Sequence, residues 1–388
     1  MTLLRALILS IAGFASPAMA DDVSREQSLS VSIGLRGGFD TDPLDEGPKA
    51  PSAGFMALDG TVDYANSSDS DVLTFTMRAS GLEYDQAEVV GSQVLLVDSG
   101  YGAEIDPNTK SRTTTKFEAI DTLSQQSRLL SLQQRFERDV SVARFAVRGE
   151  LRHYILNEQN ALLDGAFLDE AEEYRTLGVL PSIVLPMDKL EVGLSAEVSR
   201  SHFANDGDLI GFDRAHDIWR RNVFFAYRDD RFALEGSASP TTVRFPVGDY
   251  DTIETLQYTG KATATLWKEA TGPRRIAAQI DTRRVLEQTT FPLSVYQLSR
   301  THGVTLAAAI DAERTLAVYA RQERSLYLGI DILVWATIVG AEFEWEMGNG
   351  YAIKTGLDWR TQKVDGVAEP LDAINCQIAV TKKFDVLK

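Results

Sequence analysis

The sequence holds one cysteine, Cys376, and four histidines in 388 residues. A single thiol excludes an internal disulfide, so the fold must draw its stability from elsewhere. No lipid-attachment cysteine follows the N-terminal leader, which argues against a lipoprotein. Long apolar runs are also missing. After the leader, no uncharged run reaches the ~18 residues that a membrane helix requires. The nearest, "YLGIDILVWATIVGAEF" (327–343), is interrupted by Asp331. A helical membrane protein is therefore excluded. Spanning by strands stays open, because each strand needs only ~9–11 residues. Basic excess is absent as well. The formal net charge is −17, which argues against nucleic-acid binding, a task that favours basic patches.

Catalytic signatures are lacking too. There is no H-x-x-x-H, no CxxC and no glycine–serine nucleophile motif. His202 follows Ser201, but adjacent strand residues face opposite ways, so that pair makes no dyad. His216 stands near Asp213 and Asp217 and reads as a solvated loop histidine rather than a metal ligand. "DTDPLDEG" (40–47) clusters carboxylates without the spacing of a calcium loop and reads as a plain acidic loop. No catalytic residue, metal site or cofactor is expected.

What is present begins with a leader. "MTLLR" gives a weakly basic start, Ala6 to Phe14 is mostly apolar, and "SPAMA" ends in an A-x-A cleavage pattern. Residues 1–20 read as a secretory signal peptide, 21–28 as a short periplasmic segment and 29–388 as the mature domain.

That domain alternates. In "LSVSIGLRGGFD" (29–40), Leu29, Val31, Ile33, Leu35 and Phe39, with Gly37 breaking the series, oppose Ser30, Ser32, Gly34, Arg36 and Gly38. Side chains on a strand point alternately to two faces, so the stretch has one oily face and one polar face. "LTFTMRA" (73–79), "SVARFAVRGEL" (141–151), "LEVGLSAEV" (190–198), "LQYTGKATATLW" (256–267), "YAIKTGLDWR" (351–360) and "INCQIAVTKKF" (374–384) repeat it. Short turns at 66–70, 137–140, 186–189, 228–231, 311–314 and 346–350 alternate with long polar links at 40–52, 155–173, 201–218 and 361–372. This rhythm predicts a single all-β, antiparallel up-and-down transmembrane barrel, with turns at the periplasmic rim and loops outside. About 18 strands fit, with 16 as the alternative. Gly91 to Gln134 reads as strand or short helix. A change of apolar phase over Leu326 to Trp345 suggests a bulge or a slipped strand boundary. Aromatics near strand ends (Phe39, Tyr64, Tyr84, Tyr154, Tyr174, Trp219, Tyr227, Phe232, Trp267, Trp345, Tyr351, Trp359) suit interfacial girdles.

If the apolar face meets lipid, the charged face lines a lumen. Its candidates are Arg36, Asp59, Asp63, Arg78, Arg144, Arg148, Glu150, Arg152, Glu191, Glu197, Arg220, Lys261, Lys354 and Asp358. Arg275, Glu235 and Asp281 share the phase. Charges in such an interior are tolerable when wet or mutually paired. Two roles stay open for each: part of an aqueous path, or part of a salt-bridge lattice that braces the wall.

The chain resembles Gram-negative outer-membrane β-barrels over Leu29 to Phe384. Within that group "IGLRGGFDTDP" at the first strand and "MALDGTVDY" at the second are similar to the beta-barrel porin-2 type. The resemblance implies an outer-membrane location, lipid and the barrel-assembly machinery as partners, and for some members exopolysaccharide export with periplasmic and inner-membrane partners. The terminal strand departs from the usual aromatic end, since "DVLK" follows Phe384. The leading expectation is a passive channel for ions or small polar solutes, possible as a homo-oligomer. An export component, a barrel plugged by its loops and a soluble secreted β protein are the alternatives.

Overall fold

The computed structural model describes residues 26–42, 52–86, 91–122, 125–158, 171–204, 212–289, 294–367 and 370–387. Eighteen antiparallel strands account for most of them. The first six are β1 (Glu26–Asp40), β2 (Ala53–Ser67), β3 (Asp71–Tyr84), β4 (Ser92–Asp106), β5 (Thr109–Asp121) and β6 (Gln125–Val140). Then come β7 (Ala143–Glu158), β8 (Glu172–Met187), β9 (Leu190–Phe203), β10 (His216–Arg228), β11 (Phe232–Arg244) and β12 (Ile253–Lys268). The last are β13 (Arg275–Gln288), β14 (Tyr296–Ala309), β15 (Arg314–Tyr327), β16 (Ile332–Gly348), β17 (Tyr351–Val364) and β18 (Leu371–Leu387). Each strand pairs with its chain neighbours, and β1 also pairs with β18 from Leu29↔Leu387 to Asp40↔Asn375. The sheet is a closed up-and-down barrel of 18 strands, so the 16-strand alternative falls away. Closure leaves no edge with unpaired backbone groups, which hydrocarbon would not tolerate. Residues 1–25, with the expected signal peptide, lie outside the described residues. Residues 26–28 of the expected periplasmic segment open β1.

Alternation decides what each face touches. Ile33, Leu35 and Phe39 of β1 are exposed, and register carries their face to Leu58 of β2, to Leu132, Leu151 and Leu177 on β6–β8, and to Ile280, Val304 and Val339 on β13, β14 and β16. This is the outer belt. Trp219, Phe232, Trp345, Tyr351 and Trp359 are exposed on it near strand ends. Tyr84, Tyr154 and Tyr174, expected in the same girdles, are corrected by register. Tyr84 opposes Phe55 in phase with Asp59, and Tyr154 opposes Tyr174 in phase with Arg152. All three face inward.

Between Gly91 and Gln134 the described residues form β4, β5 and most of β6, with a turn at 107–108 and no helix. "ERDV" (137–140) is the end of β6 and the turn is Ser141–Val142, where Ser141 takes a φ of 55°. No bulge falls between Leu326 and Trp345. β15 gives way to β16 through a turn with Gly329 at φ 97° and Asp331 at φ 57°. The apolar phase blurs because β16 also carries Ile332, Val334, Ala336 and Ile338 on its inward side.

The short turns, the start of β1 and the end of β18 gather at one rim, which is periplasmic by the up-and-down rule. Their chemistry is local. In β16–β17, Asn349 (φ 50°) and Gly350 (φ 78°) form a two-residue hairpin of the primed type, matched to strand twist. A Cβ on Gly350 would lie 2.3 Å from the carbonyl oxygen of Lys383, so only glycine fits. At β10–β11, Asp229 accepts the amides of Arg231 (2.9 Å) and Phe232 (2.7 Å). At β14–β15, Asp311 accepts those of Glu313 (3.0 Å) and Arg314 (2.8 Å) and the Nε–H of Arg314 (2.7 Å).

These bonds hold both carboxyls below their ordinary range. Amide donation dominates at Asp229 and the Arg314 guanidinium at Asp311. A pKa lowered in the folded state gives stability that is complete above the ordinary value of about 4 and is lost as pH falls through the depressed value. The heat-unfolding gap between the wild type and an Asp229→Ala/Asp311→Ala variant should therefore be open at neutral pH. It should close as the pH is taken well below 4. A gap constant to the acid end would discount the carboxylates.

Candidate functional site: the inward wall and the mouth

The face opposite the outer belt is concave. A cavity of about 650 Å³ draws its lining from β1 (Asp40) and from β13, β15, β16 and β17 (Asp281, Tyr319, Glu342, Asp358, Arg360). A second, of about 570 Å³, lies near the periplasmic rim against Lys110, Arg112, Arg135, Glu137 and Arg148. Register parity sets every one of the charged candidates on this inward face.

Many of them are tied to neighbours. Arg36 meets Asp59 at 3.4 Å and donates to Gln377 at 3.3 Å, while Ser80 donates to the other Asp59 oxygen at 2.6 Å. Thr76 donates to Asp63 at 2.9 Å. Arg144 pairs with Asp139 at 3.0 Å, Arg220 with Glu197 at 2.8 Å and Lys354 with Glu342 at 2.8 Å. Arg152 pairs with Glu150, which also takes a bond from Gln133 at 3.1 Å. The hydroxyl of Tyr319 donates to Asp358. Arg78, Arg148 and Lys261 differ: among the described residues none has a carboxylate within 4.0 Å. Lys261 stands in register between Glu235 and Asp281, so acid, base and acid alternate across β11–β13. Glu191 is in register with Ala226 and Pro186 near the periplasmic rim.

Among the inward cations that escaped the sequence reading are Arg112 and Arg135. Arg112 opposes Arg135, and Arg135 opposes Arg148, so three arginines stand side by side on β5, β6 and β7. Arg135 pairs with Glu137, but its Nε is buried without a partner. Arg112, like Arg148, has no carboxylate within 4.0 Å among the described residues. Like charges directly opposed on neighbouring strands repel, so this row is held at a cost.

The extracellular mouth holds a different construction. Rings run from Tyr154 to Tyr174 (5.2 Å between centroids), Phe203 (5.1 Å), His216 (6.0 Å), Phe245 (5.6 Å), Tyr250 (5.3 Å) and Phe212 (5.6 Å). Val243 and Val295 fill the space between the links. Arg214, 4% exposed, pairs there with Glu172 of β8 and donates to the carbonyls of Thr289 (2.5 Å) and Ser294 (2.8 Å). One guanidinium thus ties β8 to the β13–β14 link.

His216 corrects the loop-histidine reading: it is buried, not solvated. Its Nδ1–H donates to the carbonyl of Arg214 at 2.8 Å, which leaves Nε2 to accept the Tyr296 hydroxyl at 2.5 Å. Both nitrogens are used by a neutral ring. Asp217 faces the other way and binds Arg200 at 2.6 Å, and Asp213 caps the amide of Ala215 at 2.8 Å. The three residues do not converge. No group of three or more His, Cys, Asp or Glu among the described residues could hold a metal. Ser201 and His202 take opposite faces. In the acidic link, Asp40 accepts the amide of Asp42 at 2.9 Å, and residues 43–47 lie outside the described residues.

No family model matches the chain, and no curated protein matches it. Solved structures do. OccK2 (OpdF) of Pseudomonas aeruginosa is similar at a TM-score of 0.52 and 6% identity, over 94% of this chain and 99% of that one. A ferric enterobactin receptor variant (PfeA) of Pseudomonas aeruginosa, in complex with enterobactin, is similar at 0.50 and 8% identity, over 92% and 81%. At such identities the likeness is one of fold.

Proposed function

We propose that this outer-membrane β-barrel works as a porin-like passive channel for ions or small polar solutes, without enzymatic chemistry. The observation that carries the reading is the set of inward cations with no carboxylate within 4.0 Å among the described residues: Arg78, Arg112, Arg148 and Lys261. A bracing lattice needs its charges paired, and a dry interior would make unpaired ones prohibitive. Water in the lumen removes that cost. A wall of 18 strands is wide enough for an aqueous path. The paired candidates, among them Arg36–Asp59, Arg220–Glu197 and Lys354–Glu342, stiffen the wall beside it. Purified protein in a planar bilayer should give stepwise conductance. A silent bilayer, with the protein demonstrably inserted, would sink the channel reading.

The second reading is export of a polysaccharide with periplasmic and inner-membrane partners. It draws on the likeness of Ile33 to Tyr64 to the beta-barrel porin-2 type. The acidic cavity with Tyr319, Asp358 and Asn375 supports it, because hydroxyl-rich chains suit such donors and acceptors. Deleting the gene would then abolish surface polysaccharide while leaving small-solute uptake unchanged, and the reverse outcome favours the channel. On either reading the chain depends on the barrel-assembly machinery, with β18 as the strand presented to it.

A further inference from the structure

The outer wall carries a feature that neither a lumen nor a packed interior explains. Arg284 of β13 opposes Arg300 of β14, and Arg300 opposes Arg324 of β15. Tyr258 precedes the row on β12, and Trp335 and Lys363 continue it on β16 and β17. The parity is that of Ile280, Val304, Val318, Val339 and Trp359, which are exposed on the outer belt. The three arginines therefore stand on the lipid side, three or four residues from the extracellular ends of their strands. That is the headgroup zone, where aromatic and cationic side chains settle.

Three like charges in direct register repel. Among the described residues none of the three has a carboxylate within 4.0 Å, and the Nε of Arg284 is buried without a partner. Lys363 rests over the Trp335 ring at 5.5 Å and supplies a fourth cation. The outward positions of β13–β17 hold no Asp or Glu. The outer face of β8–β10 is built otherwise: Arg200 carries Asp217 at 2.6 Å, and Arg175 has Glu173 at 3.5 Å. Among the described residues, β13–β17 therefore offer these cations no anion of their own.

Below the arginines lies a polar row of Thr282, His302, Gln322 and Thr337. Below that opens an apolar groove of about 610 Å³ against Val304, Leu306, Val318, Val339, Leu357 and Trp359. Small side chains at Ala320 and Ala341 deepen it. Cations above, hydroxyls and amides next and a greasy channel beneath match one kind of molecule. We propose that this strip binds a phosphorylated glycolipid of the outer leaflet. Its phosphates lie on Arg284, Arg300 and Arg324, its sugars on the polar row and its acyl chains in the groove. The guanidinium fork suits phosphate oxygens two at a time, and desolvation at the bilayer surface strengthens each pair. The site is independent of whether the lumen conducts.

Native mass spectrometry of the full barrel in neutral detergent tests it, with bisphosphorylated lipid A as the probe. The wild type should retain this lipid at least tenfold more strongly than its dephosphorylated form. An Arg284→Gln/Arg300→Gln/Arg324→Gln variant that still migrates as a folded barrel should lose that preference. Arg200→Gln, on the outer face of β9, should keep it. Single Arg300→Gln serves if the triple variant does not fold, and a severalfold loss is expected of it. Equal retention of dephosphorylated lipid, or an unchanged preference in the variants, overturns the proposal. Equal retention of phosphatidylglycerol would mark a generic anionic surface, and displacement by inorganic phosphate a soluble-anion site. Either result overturns the glycolipid assignment.

Discussion

Exchanging Arg148 for glutamate should move the zero-current potential of the reconstituted channel toward cations by roughly a tenfold change in permeability ratio. The estimate follows from charge and distance. Arg148 ends the row Arg112–Arg135–Arg148 beside the periplasmic cavity, and Arg135 alone has an acidic partner. The exchange alters the local charge by two units. At about 7 Å in water each unit is worth roughly 0.6 kcal/mol, with opposite sign for a cation and an anion, so two units part them by about 2.4 kcal/mol, and screening over about 10 Å at 0.1 M halves this toward the 1.4 kcal/mol of a tenfold ratio. More salt would hide the effect, so the recording belongs at or below that ionic strength. Arg148→Gln should give about half the shift in free energy. An open channel with an unmoved potential in both variants would remove this row from the conduction path and return Arg148 to the role of a wall residue.

That row also marks where the sequence could be read and where it could not. Strands such as β1, β9 and β17 announce themselves because the middle of their outer face is mostly oily and their inner positions mostly polar. β4, β5 and β6 break the rule. Their outward positions include Ser99, Ser111, Thr113, Thr115 and Gln134, which satisfy one another on the outer surface. Ser99 lies 2.5 Å from Thr115, Thr113 donates to Gln134 at 2.5 Å, and Gln134 donates to Ser111 at 2.9 Å. With polar groups on both faces the period of two is silent, so Arg112 and Arg135 could not be assigned a side. β16 fails in the opposite sense, with apolar groups on both faces. The side on which a charge falls follows from parity alone, but its partner does not. Arg36 reaches Gln377, a register partner of its β1 neighbour Gly38, only because the barrel closes. The outer arginine row is likewise invisible until three registers are aligned. The mouth was least legible of all. Arg214 gathers Glu172, Thr289 and Ser294 from 42 to 80 residues away, and no local period encodes such a meeting.

Replacing Arg214 with methionine should open that mouth. The side chain fills similar space but removes the charge that pairs with Glu172, itself 12% exposed, and frees two buried carbonyls. Stranding one partner of a buried pair costs about 3–5 kcal/mol. The barrel wall does not depend on this contact, since its strands are bonded to one another throughout. The loss should therefore fall on the links that Arg214 binds, and on the His216–Tyr296 bond beside it. Added protease should cut the variant within the extracellular links at concentrations that spare the wild type, while the heat-modifiable band of the folded barrel persists. If the aromatic knot narrows a conducting lumen, single-channel conductance should also rise. Adding Glu172→Gln removes the stranded charge and should recover part of the protection, which separates the electrostatic cost from the lost carbonyl bonds. Links as resistant in Arg214→Met as in the wild type, at unchanged conductance, would mean that aromatic packing alone holds the mouth and that the buried ion pair contributes nothing to its closure.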